Sequence, residues 1–371
     1  MGYRCAGAYD HDADAVETYT ENHGHSAIVT DIGASTPQLN VGRLDVLLAG
    51  PPCQGFSTVG RRRSEDPRNS LFARTIELIC TWKPSVAVVE NVPAIRFSGG
   101  HDFWGNAEQR LQEAGYAIST ICLDARDLSV PQSRKRLFLF ARSNRRHFTL
   151  SLPPRRRTSL GAALKGLRGL ADHSPEPLPM GSPHAAIAAR IEPGQRLCDV
   201  RHSPETIHSW EVPEVFGRTN QLERQILMAV LRLRRRDRIR SSGDGDPVSV
   251  DRIRNFIGKE VTESVNQLVK KNYLRRIGSK IEMRRTFNGK FRRPTLGGVA
   301  PTVDTHFGDP ALVLHPTRNR GFTIREAARI QSFPDGFRFT GSKRKCFQLI
   351  GNAVPPAMSS LIAAWVHQLR G

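Results

Sequence analysis

The chain has only six cysteines in 371 residues, and no two of them form a C-x-x-C pair. That excludes the common zinc ribbons and fingers and gives no disulfide framework, so no metal is expected. Reduced thiols suit a cytosolic protein. No stretch of 18 consecutive apolar residues occurs, so no membrane-spanning helix is expected. The N-terminal MGYRCAGAYDHD lacks the charged and apolar regions of a signal peptide. No internal repeat is found. These absences point to a cytoplasmic, globular chain of about two domains.

Acidic residues are scarce in particular places. The formal net charge is +20 and the pI about 10.5. Residues 1–100 carry 9 Lys/Arg against 11 Asp/Glu, whereas residues 218–293 carry 21 against 8. The run Arg134 to Arg157 has no acidic residue at all. A basic excess concentrated in one segment suits a polyanionic partner, most often nucleic acid.

The first 150 residues alternate strand and helix patterns. Tyr3 to Tyr9 reads as a strand ending at Asp10, Ala13 to Asn22 as a helix, and Ala27 to Ile32 as a strand carrying Asp31. Val46 to Ala49 is a short apolar run that reads as a buried strand, stopped by Gly50, Pro51 and Pro52. Asn69 to Trp82 has one apolar face and reads as a helix closed by Pro84. Val86 to Val89 is a strand running into Glu90-Asn91-Val92-Pro93; helix Asn106 to Gly115 and strands Ile118 to Leu123 and Leu137 to Ala141 follow. The expected fold class is α/β: a doubly wound, Rossmann-like, mostly parallel sheet covered on both faces.

The pattern changes after about residue 150. Residues 153–183 are rich in Pro, Gly and Arg and suggest a smaller, irregular domain. Leu222, Ile226, Leu227, Val230 and Leu231 form a helical stripe; Val250 to Ile257 and Val261 to Val269 suggest two more helices, and Leu274 to Met283 a hairpin around Gly278-Ser279. Three helices followed by a basic hairpin resemble a winged helix-turn-helix over about 220–285, whose third helix would enter the major groove. The alternative is a helical patch that packs only against the small domain. Helices are expected at Thr323 to Gln331 and Ala357 to Leu369, with Ala363, Val366 and Leu369 docking on the sheet.

Five short blocks carry chemistry: PPCQGFS at 51–57, ENVP at 90–93, QSRKR at 132–136, TIREAARIQSFPDGF at 323–337 and IGNAVPP at 350–356. A thiol on a stiff loop at a strand end is a typical place for a nucleophile. In this order the blocks resemble the cytosine-C5 DNA methyltransferase family. The resemblance implies that Cys53 is the nucleophile adding to C6 of cytosine, which makes C5 reactive. It implies that Glu90 holds a proton against N3 and accepts from the exocyclic amine. Arg134 and Arg136 would contact the cytosine carbonyl and the nucleophile loop, or else phosphate alone. The methyl donor implied is S-adenosylmethionine. Asp10 would take the ribose hydroxyls, Asp31 and Ile32 the adenine, Leu71 the adenosine, and Asn352 and Ala353 the methionine end; Pro52 joins this cofactor-binding set. Asp10 departs from the family, where Glu is commoner. The target base lies inside a duplex, so it must flip out into the pocket.

The resemblance implies a catalytic domain of residues 1–148 and 341–371 and a target-recognition domain of residues 149–340. The expected activity is that of a DNA (cytosine-5-)-methyltransferase acting on double-stranded DNA. The enzyme is expected to be a cytoplasmic, nucleoid-associated monomer, in a setting of restriction-modification or defence with a cognate endonuclease. A tRNA cytosine methyltransferase and a catalytically silent winged-helix regulator are the alternatives. The family's first block, a strand followed by Phe-x-Gly-x-Gly, is not seen before Gly2. A misassigned start, a truncation or a split protein are the open accounts; real absence of that strand, expected between Tyr3–Tyr9 and Val46–Ala49, would leave two unpaired strand edges.

Overall fold

The structure is a computed structural model and describes residues 3–39, 41–52, 69–97, 102–144, 147–152, 154, 157–236, 239, 245–284 and 286–370. The chain divides into two compact units: residues 1–171, 297–305 and 324–371, and residues 172–296 and 306–323.

The first unit begins with β1 (Tyr9–Asp10), α1 (Ala13–His23), β2 (Ile28–Val29) and β3 (Val46–Ala49). It continues with α2 (Asn69–Trp82), β4 (Val86–Asn91), α3 (Phe103–Glu113), β5 (Ala117–Asp124), β6 (Lys135–Arg142) and α4 (Leu160–Ala163). Four strands form one sheet in the order β3-β4-β6-β5. Its centre is β4, whose residues Val86 to Val89 are all at most 3% exposed. Because side chains alternate across a strand, Ala87 and Val89 pack with Phe72, Ile76 and Trp104 of α2 and α3. Val86 and Val88 face a second apolar layer on the opposite side. The sheet is thus covered on both faces, as an α/β architecture requires.

The expectation of a mostly parallel sheet is corrected. Within this four-stranded sheet, among the described residues, only β3 and β4 pair in parallel; β4 with β6 and β5 with β6 are antiparallel. The segment joining β5 to β6 is a ten-residue loop rather than a crossover helix, so β6 returns alongside β5 along its whole length. Two further expectations shift. Tyr3 to Ala8 is not a strand, and β1 and β2 are two residues each, paired with one another alone among the described residues. The strand β3 is an edge strand among the described residues, with Leu48 67% exposed rather than buried. Ile28 and Val29 are likewise exposed.

The second unit holds α5 (Pro183–Arg190), β7 (Arg196–Leu197), β8 (Thr206–Ile207), α6 (Pro213–Phe216) and α7 (Gln221–Arg236). It continues with β9 (Val248–Ser249), α8 (Val250–Ile257), α9 (Thr262–Lys270) and the hairpin β10 (Leu274–Ile277) and β11 (Lys280–Met283). The sheet order is β10-β11-β9, antiparallel throughout. One core binds this group together: Ile226, Val230, Ile253, Val265, Leu268 and Ile281 are buried in a single cluster. Gly258 stops α8 in the left-handed region at φ 73, where glycine meets no steric cost. The sequence reading lacked β9, whose two residues are too few to show an alternating pattern.

The chain then returns to the first unit with α10 (Ile324–Ile330), α11 (Lys343–Asn352) and α12 (Pro356–Arg370). The boundary between units thus falls at Ala171, later than residue 148, and Ile324 to Thr340 lie with the first unit, where α10 packs against α4 and α11. Met358, Ile362, Trp365, Val366 and Leu369 of α12 form the layer against Val86, Val88 and Phe140. Residues 343–370 are long enough for a spanning helix and contain an 18-residue window with a mean hydropathy of 1.4. Their apolar side chains are used in this packing, and Pro355 and Pro356 interrupt the run.

Candidate active site

The site begins at the carboxyl end of β4. Glu90 is the last residue but one of that strand, and Arg136 is the second residue of β6. The register pairs Glu90 with Phe138, so Arg136, two residues earlier, points to the same face. Arg136 Nε donates to Glu90 Oε1 at 2.7 Å, with both side chains largely covered (13% and 16% exposed). Burial pushes the Glu90 carboxyl up from its ordinary value; the nearby Arg136 and Arg134 guanidiniums oppose this but do not cancel it. The result is a carboxyl that holds its proton more tightly than in water while keeping a hydrogen-bonded partner.

The strand beside it brings in the nucleophile loop. β3 ends at Ala49, opposite Val89. A Cβ on Gly50 would stand 3.5 Å from Glu90 Oε2, so the chain passes close to the carboxyl there. The fully buried Asn91 donates through Nδ2 to the Pro51 carbonyl at 3.4 Å and accepts from Val92 N at 2.9 Å. Pro51 is buried and Pro52 half-buried at the site's edge. Cys53 itself lies outside the described residues.

Arg134 is placed differently from its expected role. It is 1% exposed. Its Nη1 donates to the Val303 carbonyl at 2.9 Å, and Nη2 donates to the Gly351 and Ala353 carbonyls, both at 2.8 Å. The guanidinium is therefore turned into the protein, where it ties the 132–136 block to the 350–356 block. Two amides that sequence reasoning passed over complete this junction. Gln132 accepts from Val303 N at 3.1 Å and donates to Ile330 O and Gln331 Oε1. Gln331 in turn donates to Ile350 O at 3.1 Å and Ala353 O at 2.8 Å. Both glutamines are fully buried. Their signal was present, since each sits inside a motif block, but a buried amide and a surface one look alike in sequence. Gly351 closes the junction: a Cβ there would lie 2.5 Å from the backbone of Asp304.

A second cluster sits at the ends of β1 and β2. Thr30 N donates to the Asp10 carbonyl at 2.8 Å, which brings Asp10 and Asp31 to neighbouring strand ends. Both carboxylates are exposed and held by neighbouring residues: Asp12 N donates to Asp10 Oδ1 at 2.9 Å, with His11 Nδ1 3.2 Å from the same oxygen, and Gly33 N donates to Asp31 Oδ1 at 2.8 Å. Leu71 of α2 reaches this turn, since a Cβ on Gly33 would meet Leu71 Cδ2 at 2.9 Å. Arg74, one helical turn on, was also missed: it donates from Nε to the Ile32 carbonyl at 3.2 Å and from Nη2 to Thr36. Asn352 is exposed and Ala353 half-buried at the end of α11. Among the described residues, no His/Cys/Asp/Glu group could hold a metal ion.

Residues 1–367 match the family model described as C-5 cytosine-specific DNA methylase. The chain belongs to that family, and its enzyme class is DNA (cytosine-5-)-methyltransferase. Among relatives, it is 28% identical over 414 residues to the Type II methyltransferase M.AgeI of Thalassovita gelatinovora, covering 98% of this chain and 95% of that protein. It is 29% identical over 384 residues to the Type II methyltransferase M.DdeI of Desulfomicrobium norvegicum, covering 98% and 83%. Among solved structures, a DNA modification methyltransferase encoded within an E. coli prophage aligns with a TM-score of 0.56 and 22% identity, covering 99% of this chain and 93% of that one. The S. pombe Dnmt2 methyltransferase aligns at 0.52 and 16%, covering 99% and 92%. At these identities the two structures show the fold alone.

Proposed function

We propose that the chain methylates C5 of a flipped-out cytosine in double-stranded DNA, with Cys53 as nucleophile and Glu90 and Arg136 as the groups that hold the base. The observation that carries this is the Arg136–Glu90 pair at 2.7 Å, held beside the strand end that leads into Cys53. The Cys53 thiolate adds to C6, and the electron pair of the C5–C6 double bond moves toward N3. Glu90, with its raised pKa, supplies the proton that N3 receives. Arg136 orients Glu90 and has further donors for the cytosine carbonyl. C5 would then take the methyl group as the methyl–sulfur bond of the sulfonium donor breaks, the electron pair staying on sulfur. A base removes the C5 proton, N3 returns its proton to Glu90, and Cys53 departs as the C5–C6 double bond re-forms. Arg134 serves this site from behind, by holding the loop on which Arg136 begins.

The residues fit S-adenosylmethionine. Two exposed carboxylates stand at neighbouring strand ends, and Gly33 lets Leu71 pack directly on the Asp31 turn, where a Cβ would come within 2.9 Å of Leu71 Cδ2. Asp10, Asp31, Ile32, Pro52, Leu71, Asn352 and Ala353 would hold it. When bound, it supplies an electrophilic methyl group.

The unit of residues 172–296 and 306–323 serves in this reading as the target-recognition domain. The order α7, β9, α8, α9, β10, β11 supports a winged helix-turn-helix within it. The relatives' description as Type II methyltransferases supports a restriction-modification role with a cognate endonuclease. The enzyme acts as a cytoplasmic, nucleoid-associated monomer. The test is transfer of labelled methyl groups to duplex DNA and to tRNA, followed by bisulfite sequencing. Label at C5 of cytosine in the duplex is expected. Transfer to tRNA alone would favour the RNA enzyme, and transfer to neither the silent regulator.

A further inference from the structure

The helix α9 uses one face for the core and turns the other toward solvent. Val261, Val265 and Leu268 are buried against α7 and the hairpin, each at most 1% exposed. Thr262, Glu263 and Lys270 are exposed, with Asn266 and Gln267 half-exposed between them. Helical spacing puts these five on one stripe.

The cations nearby fall into two groups. Lys271 is spent internally: its Nζ lies 2.7 Å from the buried Glu223 and 2.9 Å from the Arg218 carbonyl. Arg275 is paired with the buried Glu282 at 2.7 Å. Lys259, Lys270 and Lys280 are exposed and have no ion pair among the described residues. They lie before α9, at its end and at the start of β11. Residues 259–284 carry seven Lys/Arg against three Asp/Glu, so the field over the stripe is positive. The two amides on the stripe are held in place. Arg276 of β10 donates to Asn266 Oδ1 at 2.6 Å, leaving the amide N–H groups of Asn266 outward. Gln267 donates to Glu263 at 3.0 Å, leaving its carbonyl as an acceptor.

We propose that α9 and the β10–β11 hairpin form a DNA-reading face of their own, in which Lys259, Lys270 and Lys280 contact phosphates and Asn266 and Gln267 read base edges in the major groove. The choice of duplex DNA as the occupant rests on the catalytic reading above. The division of labour follows from chemistry: flexible ammonium groups serve phosphate as point charges, whereas fixed amides can discriminate donor and acceptor patterns. The face therefore sets sequence preference at base pairs flanking the methylated cytosine.

The full chain is tested with a fluorescent duplex over a salt series. Replacing the three lysines (K259A/K270A/K280A) should make the slope of log affinity against log salt shallower by about 2–3. The corresponding triple Lys→Arg variant should restore it. An unchanged slope in the alanine variant, or tRNA displacing the duplex from the wild type but not from that variant, would overturn the assignment. Enrichment of bound duplexes from a random pool tests the base readers. The N266A/Q267A variant should lose preference at flanking positions by about tenfold or more per base pair. Identical selected sequences for both chains would overturn that part. Methyl transfer by the wild type is measured on the same pool. No transfer to any duplex counts against the catalytic reading, while transfer with an unchanged salt slope counts against this one.

Discussion

The two ends of the first unit's site are built in opposite ways. On the base side, Glu90 and Arg136 stand on strands whose flanking residues are buried on both faces, and Arg134, Gln132 and Gln331 bind four chain segments behind them. On the cofactor side, Asp10 and Asp31 stand at the ends of two-residue strands, held by residues of their own turns, with Ile28 and Val29 beside them exposed. The difference teaches where each half draws its geometry. The base side is fixed by the core, so changes there strike structure and rate together. The cofactor side is fixed by local turns and α2, so changes there strike affinity alone.

The largest expected effect is at Glu90. Glu90→Gln should lower the methylation rate by about a hundredfold to ten-thousandfold, the usual scale for a proton-transfer group. Its stability signature has a definite sign. A raised carboxyl pKa gives stability that is present below the unfolded value and is lost as pH rises through the folded value. The wild type should therefore lose stability relative to Glu90→Gln across that window, measured by thermal melts at several pH values. A parallel pH profile for both proteins would show that burial does not control this carboxyl.

Next comes Arg134 against Arg136. Arg134→Ala removes three charge-assisted hydrogen bonds from the interior and should cost about 3 kcal/mol or more in denaturant unfolding. Arg136→Ala should cost less stability but most of the rate. If the two variants lost stability equally, the separation between a positioning and a base-holding arginine would fail.

The smallest structural effect is expected on the cofactor side. Asp10→Ala should change stability by no more than about 0.5 kcal/mol, because Asp10 is exposed and locally bonded. Affinity for S-adenosylmethionine should fall by about tenfold or more, the scale of one hydrogen bond to a charged group. Calorimetry measures the affinity directly. A large loss of stability would show that Asp10 supports the fold and erase the contrast.

Much of this contrast was legible in the sequence, and the illegible parts have physical causes. The runs Val86 to Val89 and Leu137 to Ala141 announce buried strands by composition, and the motif blocks mark strand ends. Strand direction leaves no such trace: an apolar run reads the same parallel or antiparallel, so the placement of β6 between β4 and β5 came only from the structure. The orientation of Arg134 was equally hidden. Its alternation with Arg136 suggested a shared face, but Arg134 precedes β6, and three backbone carbonyls from distant segments captured it. Leu48 reads as core because Val46 to Ala49 is apolar; its exposure depends on which strands lie beside β3.

The central claim is covalent attack by Cys53 at C6 of a cytosine held by Glu90 and Arg136. It is tested most directly with duplex DNA carrying 5-fluorocytosine at the target position, in the presence of S-adenosylmethionine. Fluorine cannot leave C5 as a proton does, so elimination of the thiolate is blocked and the adduct accumulates. The account predicts a stable protein–DNA adduct whose linkage maps by mass spectrometry to Cys53, and none with Cys53→Ala. An adduct that persists in Cys53→Ala, or one linked to another residue, would contradict it.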